Sequence, residues 1–131
     1  MRGTTRLRIT LLAGLLAAST VVALVIAAGA QQGNLANGKA KYLEHCASCH
    51  GKEGKGDGPD AKDLEPKPRN HTDGNAMNRL RDNYLFTVIK SGGQTVGKSD
   101  QMPGWGSILT DQDITDTIAF IRTLARPPYK P

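Results

Sequence analysis

The chain of 131 residues has only two cysteines, one tryptophan, two phenylalanines and three tyrosines. Two cysteines exclude a disulfide-rich framework. Few aromatics and no long basic run give a nucleic-acid-binding surface little support, although the formal net charge is +5. Large aliphatic residues are also scarce over most of the chain. Nineteen apolar residues fall within residues 1–30, while residues 31–131 hold only 16 Leu, Ile, Val and Phe. That fraction lies below the ~20 % level at which highly charged chains tend to be disordered. Charge does not force disorder here: three of the 17 Lys and Arg precede residue 9, leaving 14 against 12 Asp and Glu. The length allows one small domain. A domain this poor in apolar groups cannot build a large core from side chains alone and needs a disulfide, metal or cofactor to complete it. Strand-like alternation and internal repeats are absent from the sequence.

The apolar residues concentrated at the N-terminus read as a targeting segment. Arg2, Arg6 and Arg8 precede an uncharged stretch from Ile9 to Ala30 that ends in Ala28-Gly29-Ala30, small residues of the kind a signal peptidase reads. Basic residues followed by an apolar run place this end at the cytoplasmic side and the rest of the chain outside. The run is also just long enough to span a bilayer, so residues 1–30 are either a signal peptide or an N-terminal membrane anchor through residues 9–30. Cleavage is the favoured reading, because Ala, Gly, Ser and Thr make a weak span. Either way residues 31–131 are expected to be exported. No cysteine precedes Cys46, which excludes a lipoprotein anchor.

Residues 31–131 read as one domain. Asn34 or Asn37 is a candidate cap for a helix running to about Cys49. A glycine-rich loop follows over Gly51–Asp60, and Pro59, Pro66 and Pro68 keep the next stretch irregular. Asp82 is placed to cap a helix over about Asn83–Lys90, with Leu85, Val88 and Ile89 on one face and Gly92-Gly93 at its end. Thr110 and Asp113 resemble a capping box for a last helix. Ile114, Ile118, Ile121 and Ala125 form its apolar stripe, and Arg122 and Arg126 suit its C-terminal end.

One motif carries chemistry. Cys46-Ala47-Ser48-Cys49-His50 has the Cys-x-x-Cys-His spacing of covalent c-type heme attachment. On a helix, positions 46, 49 and 50 share a face. Two thiols can then form thioethers to one porphyrin while His50 comes up as the proximal iron ligand. Three other readings compete. A redox dithiol expects a preceding strand and has no use for His50. A structural zinc needs further Cys or His ligands, and no second pair is present. A plain disulfide would close only a tiny loop and stabilise little. Heme attachment is favoured, and it accounts for the shortage of apolar side chains, since the macrocycle supplies core.

With these residues in view, the chain resembles a class I c-type cytochrome over about residues 35–126. The resemblance rests on Cys46…His50, Gly-Asp-Gly-Pro at 56–59, Met102-Pro103 and the helix over Ile114–Leu124. It implies an all-α fold of three to five helices around one covalently bound heme c, with the first and last helices crossing near Gly38 and Phe120. It implies a single-electron carrier acting between redox proteins, not an enzyme. A heme-containing subunit of a larger membrane redox complex, and a heme enzyme or gas sensor with a displaceable distal ligand, stand as alternatives.

The family places its distal methionine where Met102 lies, in a Gly/Pro loop before the last helix; Met77 and His71 are the weaker candidates. His45, beside Cys46, is expected to be solvent-exposed. The resemblance also assigns the Pro59 carbonyl to the second ring nitrogen of His50, set against a purely rigid turn. Arg69 is a candidate partner for a heme propionate, set against an ordinary surface arginine. Trp105 and Tyr84 are placed either on the heme or in plain core packing. Lysines 39, 41, 52, 55, 62 and 67 alternate with Glu44, Glu53, Asp57, Asp60 and Asp63, so a mixed solvated surface is favoured over one that steers an acidic partner.

Overall fold

The computed structural model of the protein describes residues 33–130. The leader, with both of its readings, lies outside the described residues. Those described form five helices: α1 (Leu35–His45), α2 (Ala47–His50), α3 (Gly74–Met77), α4 (Asp82–Ser91) and α5 (Asp111–Leu124). Two 3-10 turns, Pro59–Asp63 and Gly93–Val96, complete the regular structure. Among the described residues the only β-type pairing is an isolated bridge between Asp73 and Arg126. The fold is the expected all-α arrangement. No helix among the described residues is long and apolar enough to cross a membrane.

Helix α1 starts because the Asn34 side chain accepts from the backbone N–H groups of Ala36 and Asn37, both at 3.1 Å. Asn37, the other candidate cap, acts elsewhere: its Nδ2 donates to Asp113 Oδ1 at 2.9 Å and Asp116 Oδ2 at 2.8 Å on α5. The helix does not run unbroken to Cys49 but breaks at Cys46, where φ is −114°, and α2 restarts as a single turn.

The crossing of α1 and α5 is set by Gly38. A Cβ there would lie 1.9 Å from the Asp116 carbonyl oxygen, so only glycine lets the two backbones approach this closely. Next to it, Tyr42 is fully buried and packs at 5.3 Å on the ring of Phe120. Asp116 sits in the crossing with almost no exposure. Burial opposes its ionisation, yet hydrogen bonds from Asn37, Gln112 and the Asn34 N–H hold its carboxyl below the usual range.

Helix α5 has the expected capping box: Thr110 Oγ1 accepts from Asp113 N while the Asp113 carboxylate accepts from Thr110 N. Its stripe of Ile114, Ile118 and Ile121, with Ala125 just past its end, lies in the core beside Leu85 and Ile89 of α4. Burial of each such isoleucine is worth about 1.5–3 kcal/mol.

Asp82 does not cap α4. It is the first residue of that helix, and its carboxylate accepts from Arg122 Nε at 2.9 Å and Nη2 at 2.6 Å. Arg122, in the last turn of α5 as expected but buried there, also donates to the carbonyls of Met77 and Leu80. The guanidinium thus holds the end of α3 and the start of α4 on α5, satisfying carbonyls that α3 leaves open.

Candidate functional site

The motif occupies one tight turn. Cys46 N donates to Tyr42 O at 2.9 Å, and His50 N donates to Cys46 O at 2.8 Å. The two thiols and the imidazole therefore leave the same face of one turn. Both cysteines are free thiols and half-buried. Burial, and then the neighbouring Cys49, push the Cys46 thiol up to about 12. A redox dithiol needs the opposite shift, toward an accessible thiolate. No group of three or more His, Cys, Asp or Glu side chains among the described residues is placed to hold a metal ion, so the zinc reading finds no ligand set.

The glycine-rich loop folds back onto the motif. Gly56 N donates to His50 O at 2.8 Å and Gly58 N to Cys49 O at 3.1 Å. Beyond the Pro59–Asp63 turn the chain returns alongside this loop, and His71 N donates to Gly54 O at 2.6 Å. That return brings the Arg69 carbonyl to 3.0 Å from His50 Nδ1. The carbonyl that meets His50 is thus Arg69's and not Pro59's. Pro59 opens the 3-10 turn and is exposed, while residues 68–71 supply the backbone lying against the motif. The guanidinium of Arg69 is on the surface.

This geometry assigns the protons of His50. A carbonyl accepts only, so Nδ1 carries the hydrogen and Nε2 keeps its lone pair. Burial lowers the imidazole pKa, and the hydrogen bond to Arg69 opposes this only in part, so the ring is neutral at neutral pH. Two free thiols one turn apart, followed by an imidazole whose Nε2 keeps its lone pair, are the donor set that a c-type heme requires.

His71 is where sequence reasoning fell short. The sequence offers it only as a weaker candidate on the distal side. The structure buries it against the motif's own histidine: its ring stacks on His50 with centroids 4.4 Å apart and planes 15° from parallel. Burial first, then the charges of His50 and Arg69, bring its imidazole down to about 3. Nothing in the local pattern around Asn70-His71-Thr72 marks this role, because the partner is 21 positions away in the chain.

Met102 lies half-buried at the edge of the core that Cys46 also packs against. Its loop is tied to the end of α4: Gly93 N donates to Met102 O at 2.9 Å, Trp105 N to Ile89 O at 2.8 Å and Gly106 N to Lys90 O at 3.0 Å. Met77, by contrast, is fully buried in the core, with its carbonyl held by Arg122. Trp105 and Tyr84 are half-buried against the core. His45 is not solvent-exposed as expected: its side chain keeps 15 % of its exposure and its ring lies 5.0 Å from the indole of Trp105. That contact ties the loop of Met102 to the helix leading into the motif.

The surface around the motif has mixed charge, as the alternation predicts. Lys41, Lys55 and Lys62 each lie within 4.0 Å of a carboxylate, and Lys67 donates to the carbonyls of Ala61 and Lys62.

A profile of the family described as cytochrome c matches residues 35–125. No curated protein matches the chain in sequence. Among solved structures, a chain of the reducing HAO-like protein complex Kustc0457/Kustc0458 of Kuenenia stuttgartiensis superposes with a TM-score of 0.57 at 24 % identity, over 76 % of this chain and 48 % of that one. The present chain therefore spans about half the length of that neighbour. The c-type cytochrome KustC0563 superposes with a TM-score of 0.49 at 22 % identity, over 71 % of this chain and 98 % of that one.

Proposed function

Because the chain belongs to the cytochrome c family and carries one covalently bound heme c, we propose that it is a monoheme carrier of single electrons between redox proteins outside the cytoplasm, with His50 and Met102 as its iron ligands. The observation that supports this most is the hydrogen bond at His50: Nδ1 is engaged at the Arg69 carbonyl, which leaves Nε2 with its lone pair, one turn beyond Cys46. When bound, the heme supplies a one-electron Fe(III)/Fe(II) couple. The residues of the chain do the rest. Cys46 and Cys49 hold the macrocycle as thioethers from one helical face. His50 presents Nε2 and keeps its proton on a backbone carbonyl, which fixes the tautomer. Met102 presents a soft thioether, which favours Fe(II) and raises the potential. The surface guanidinium of Arg69 is assigned to a heme propionate, and Trp105 to the heme surround. No substrate is transformed.

Residues 1–30 export the domain and are either removed after Ala30 or kept as a tether. Intact mass of natively produced protein decides between a chain starting at Gln31 and one retaining the leader. A place as one subunit of a larger redox complex is the second reading. What supports it is the likeness of the fold to a chain of the reducing HAO-like protein complex Kustc0457/Kustc0458.

The test of the carrier reading is Met102→Ala. The wild type is expected to show the weak near-infrared band of a Met–Fe(III) bond and to resist carbon monoxide. Met102→Ala should lose the band, admit carbon monoxide and lower the potential, while Met77→Ala should retain the band. A wild type that lacks the band and binds carbon monoxide readily would move the assignment to a gas sensor or heme enzyme.

A further inference from the structure

We propose that His71 is a positioning residue for the proximal ligand: stacked face to face on His50, it sets the plane in which that imidazole meets the iron. The inference rests on His50 being an iron ligand and adds what orients it.

The need for such a residue follows from the softness of the histidine side chain. Rotation about the bond joining Cβ to the ring is broad and has no sharp staggered wells. The hydrogen bond from Nδ1 to the Arg69 carbonyl at 3.0 Å holds one atom of the ring but leaves it free to tilt. A flat contact resists that tilt, because turning the His50 ring drives an edge into its neighbour. His71 makes that contact at 4.4 Å and 15° from parallel.

His71 is itself locked. Its N–H donates to Gly54 O at 2.6 Å, and its Nδ1 lies 3.3 Å from the hydroxyl of the fully buried Tyr42. Tyr42 Oη is also 3.0 Å from the Gly51 carbonyl. A hydroxyl has one proton, and the carbonyl can only accept, so Tyr42 donates to Gly51 O and His71 Nδ1–H donates to Tyr42 Oη. The Tyr42 ring meets that of His71 edge-on at 5.8 Å and 65°. A chain of contacts thus runs from Tyr42 on α1 through His71 to His50. It also returns to the backbone of Gly51, the residue following the ligand. The ring plane of His50 is therefore coupled to the helix that carries the crossing.

The experiment uses heme-loaded protein from a host with c-type maturation. In the ferric state, the order and spread of the four heme methyl proton resonances report the orientation of the axial ligands. His71→Phe keeps a ring and should retain the wild-type order. His71→Leu keeps apolar volume without a ring, and His71→Gln keeps a donor for Tyr42 without a ring; both should change the order while circular dichroism keeps its helical signal. An unchanged order in either ringless variant overturns the proposal, as does a changed order in His71→Phe. If neither ringless variant retains heme, His71→Phe decides alone: an altered order overturns the proposal, and an unaltered one upholds it. Failure of the underlying reading looks different, since the wild type itself would then lack the low-spin His/Met signature.

Discussion

Around His50 the structure is tied to the motif's own backbone, whereas around Met102 the ties run to the end of another helix. On the first side, Gly56 and Gly58 bond to the carbonyls of His50 and Cys49, Arg69 meets Nδ1, and His71 covers the ring face. On the second, the loop is held by three backbone bonds to the end of α4 and just beyond it, and by the contact of Trp105 with His45. Pro103, Gly104 and Ile108 of that loop are exposed. On the proposed ligation the first side is the proximal half and the second the distal half, and the difference in their ties leads to the expectation that the proximal half is the more rigid. The His50 side is closed by contacts that reach from Gly56 to His71, and it is expected to resist displacement. The distal half depends on where α4 ends, so disturbing α4 disturbs it.

The sharpest way to break the comparison is to remove the anchor of the rigid half. Cys46→Ala or Cys49→Ala should abolish stable holoprotein, since without the macrocycle the apolar complement is too small to hold the fold. Acid-acetone extraction reads this directly: heme stays with the wild type and is lost, or never incorporated, in the variants. Neither variant should accumulate folded protein at the wild-type level.

Next in size is Gly38→Ala, which strikes the crossing on which both halves stand. A Cβ at 1.9 Å from the Asp116 carbonyl forces α1 and α5 apart, at a cost of about 3 kcal/mol. Urea unfolding of the holoprotein measures it, and a midpoint equal to wild type would show that the crossing is not tight in solution.

Gly92→Ala addresses the distal half without touching the ligand. Gly92 has φ +89° and ψ 163°, and a Cβ there would lie 3.0 Å from Met102 O. A residue with a side chain in this region costs about 1–3 kcal/mol. The Met102 loop should loosen, so the variant should admit carbon monoxide faster than wild type while heme attachment stays intact. A faster rate with normal attachment sharpens the contrast between the halves; an unchanged rate removes it.

The smallest effect is on acid stability. Hydrogen bonds from the Asn37 side chain first, and then from Thr110, lower the Asp113 carboxyl from 3.8 to about 2. A depressed folded-state pKa means that this contribution is complete above pH 3.8 and is lost as pH falls through about 2. Asn37→Ala should bring the Asp113 pKa back toward its ordinary value and flatten the acid limb over that window. Carboxyl titration by NMR tests the shift, and an unmoved Asp113 would refute the assignment.

What sequence alone determined about this protein is what lies within one or two helical turns. Cys46, Cys49 and His50 are legible because three groups that must reach one rigid macrocycle need fixed spacing. The capping box at Thr110 and Asp113 and the stripe from Ile114 to Ala125 are legible for the same reason: helix geometry makes neighbours of residues three and four apart. The crossing at Gly38 was legible only through the family resemblance; the structure supplies the reason, a Cβ there meeting the Asp116 carbonyl. Tertiary structure alone decided which distant groups complete the site. The carbonyl on His50 comes from Arg69, 19 positions on, and could not be told from that of Pro59 until the course of the loop was known. Asp82 serves Arg122, 40 positions away, rather than its own helix. His45 meets Trp105 and His71 meets His50 by the same kind of return. Backbone carbonyls exist at every residue and carry no side-chain signature. A buried histidine has the same letter as an exposed one. Their partners are therefore selected by the path of the chain, not by its local pattern.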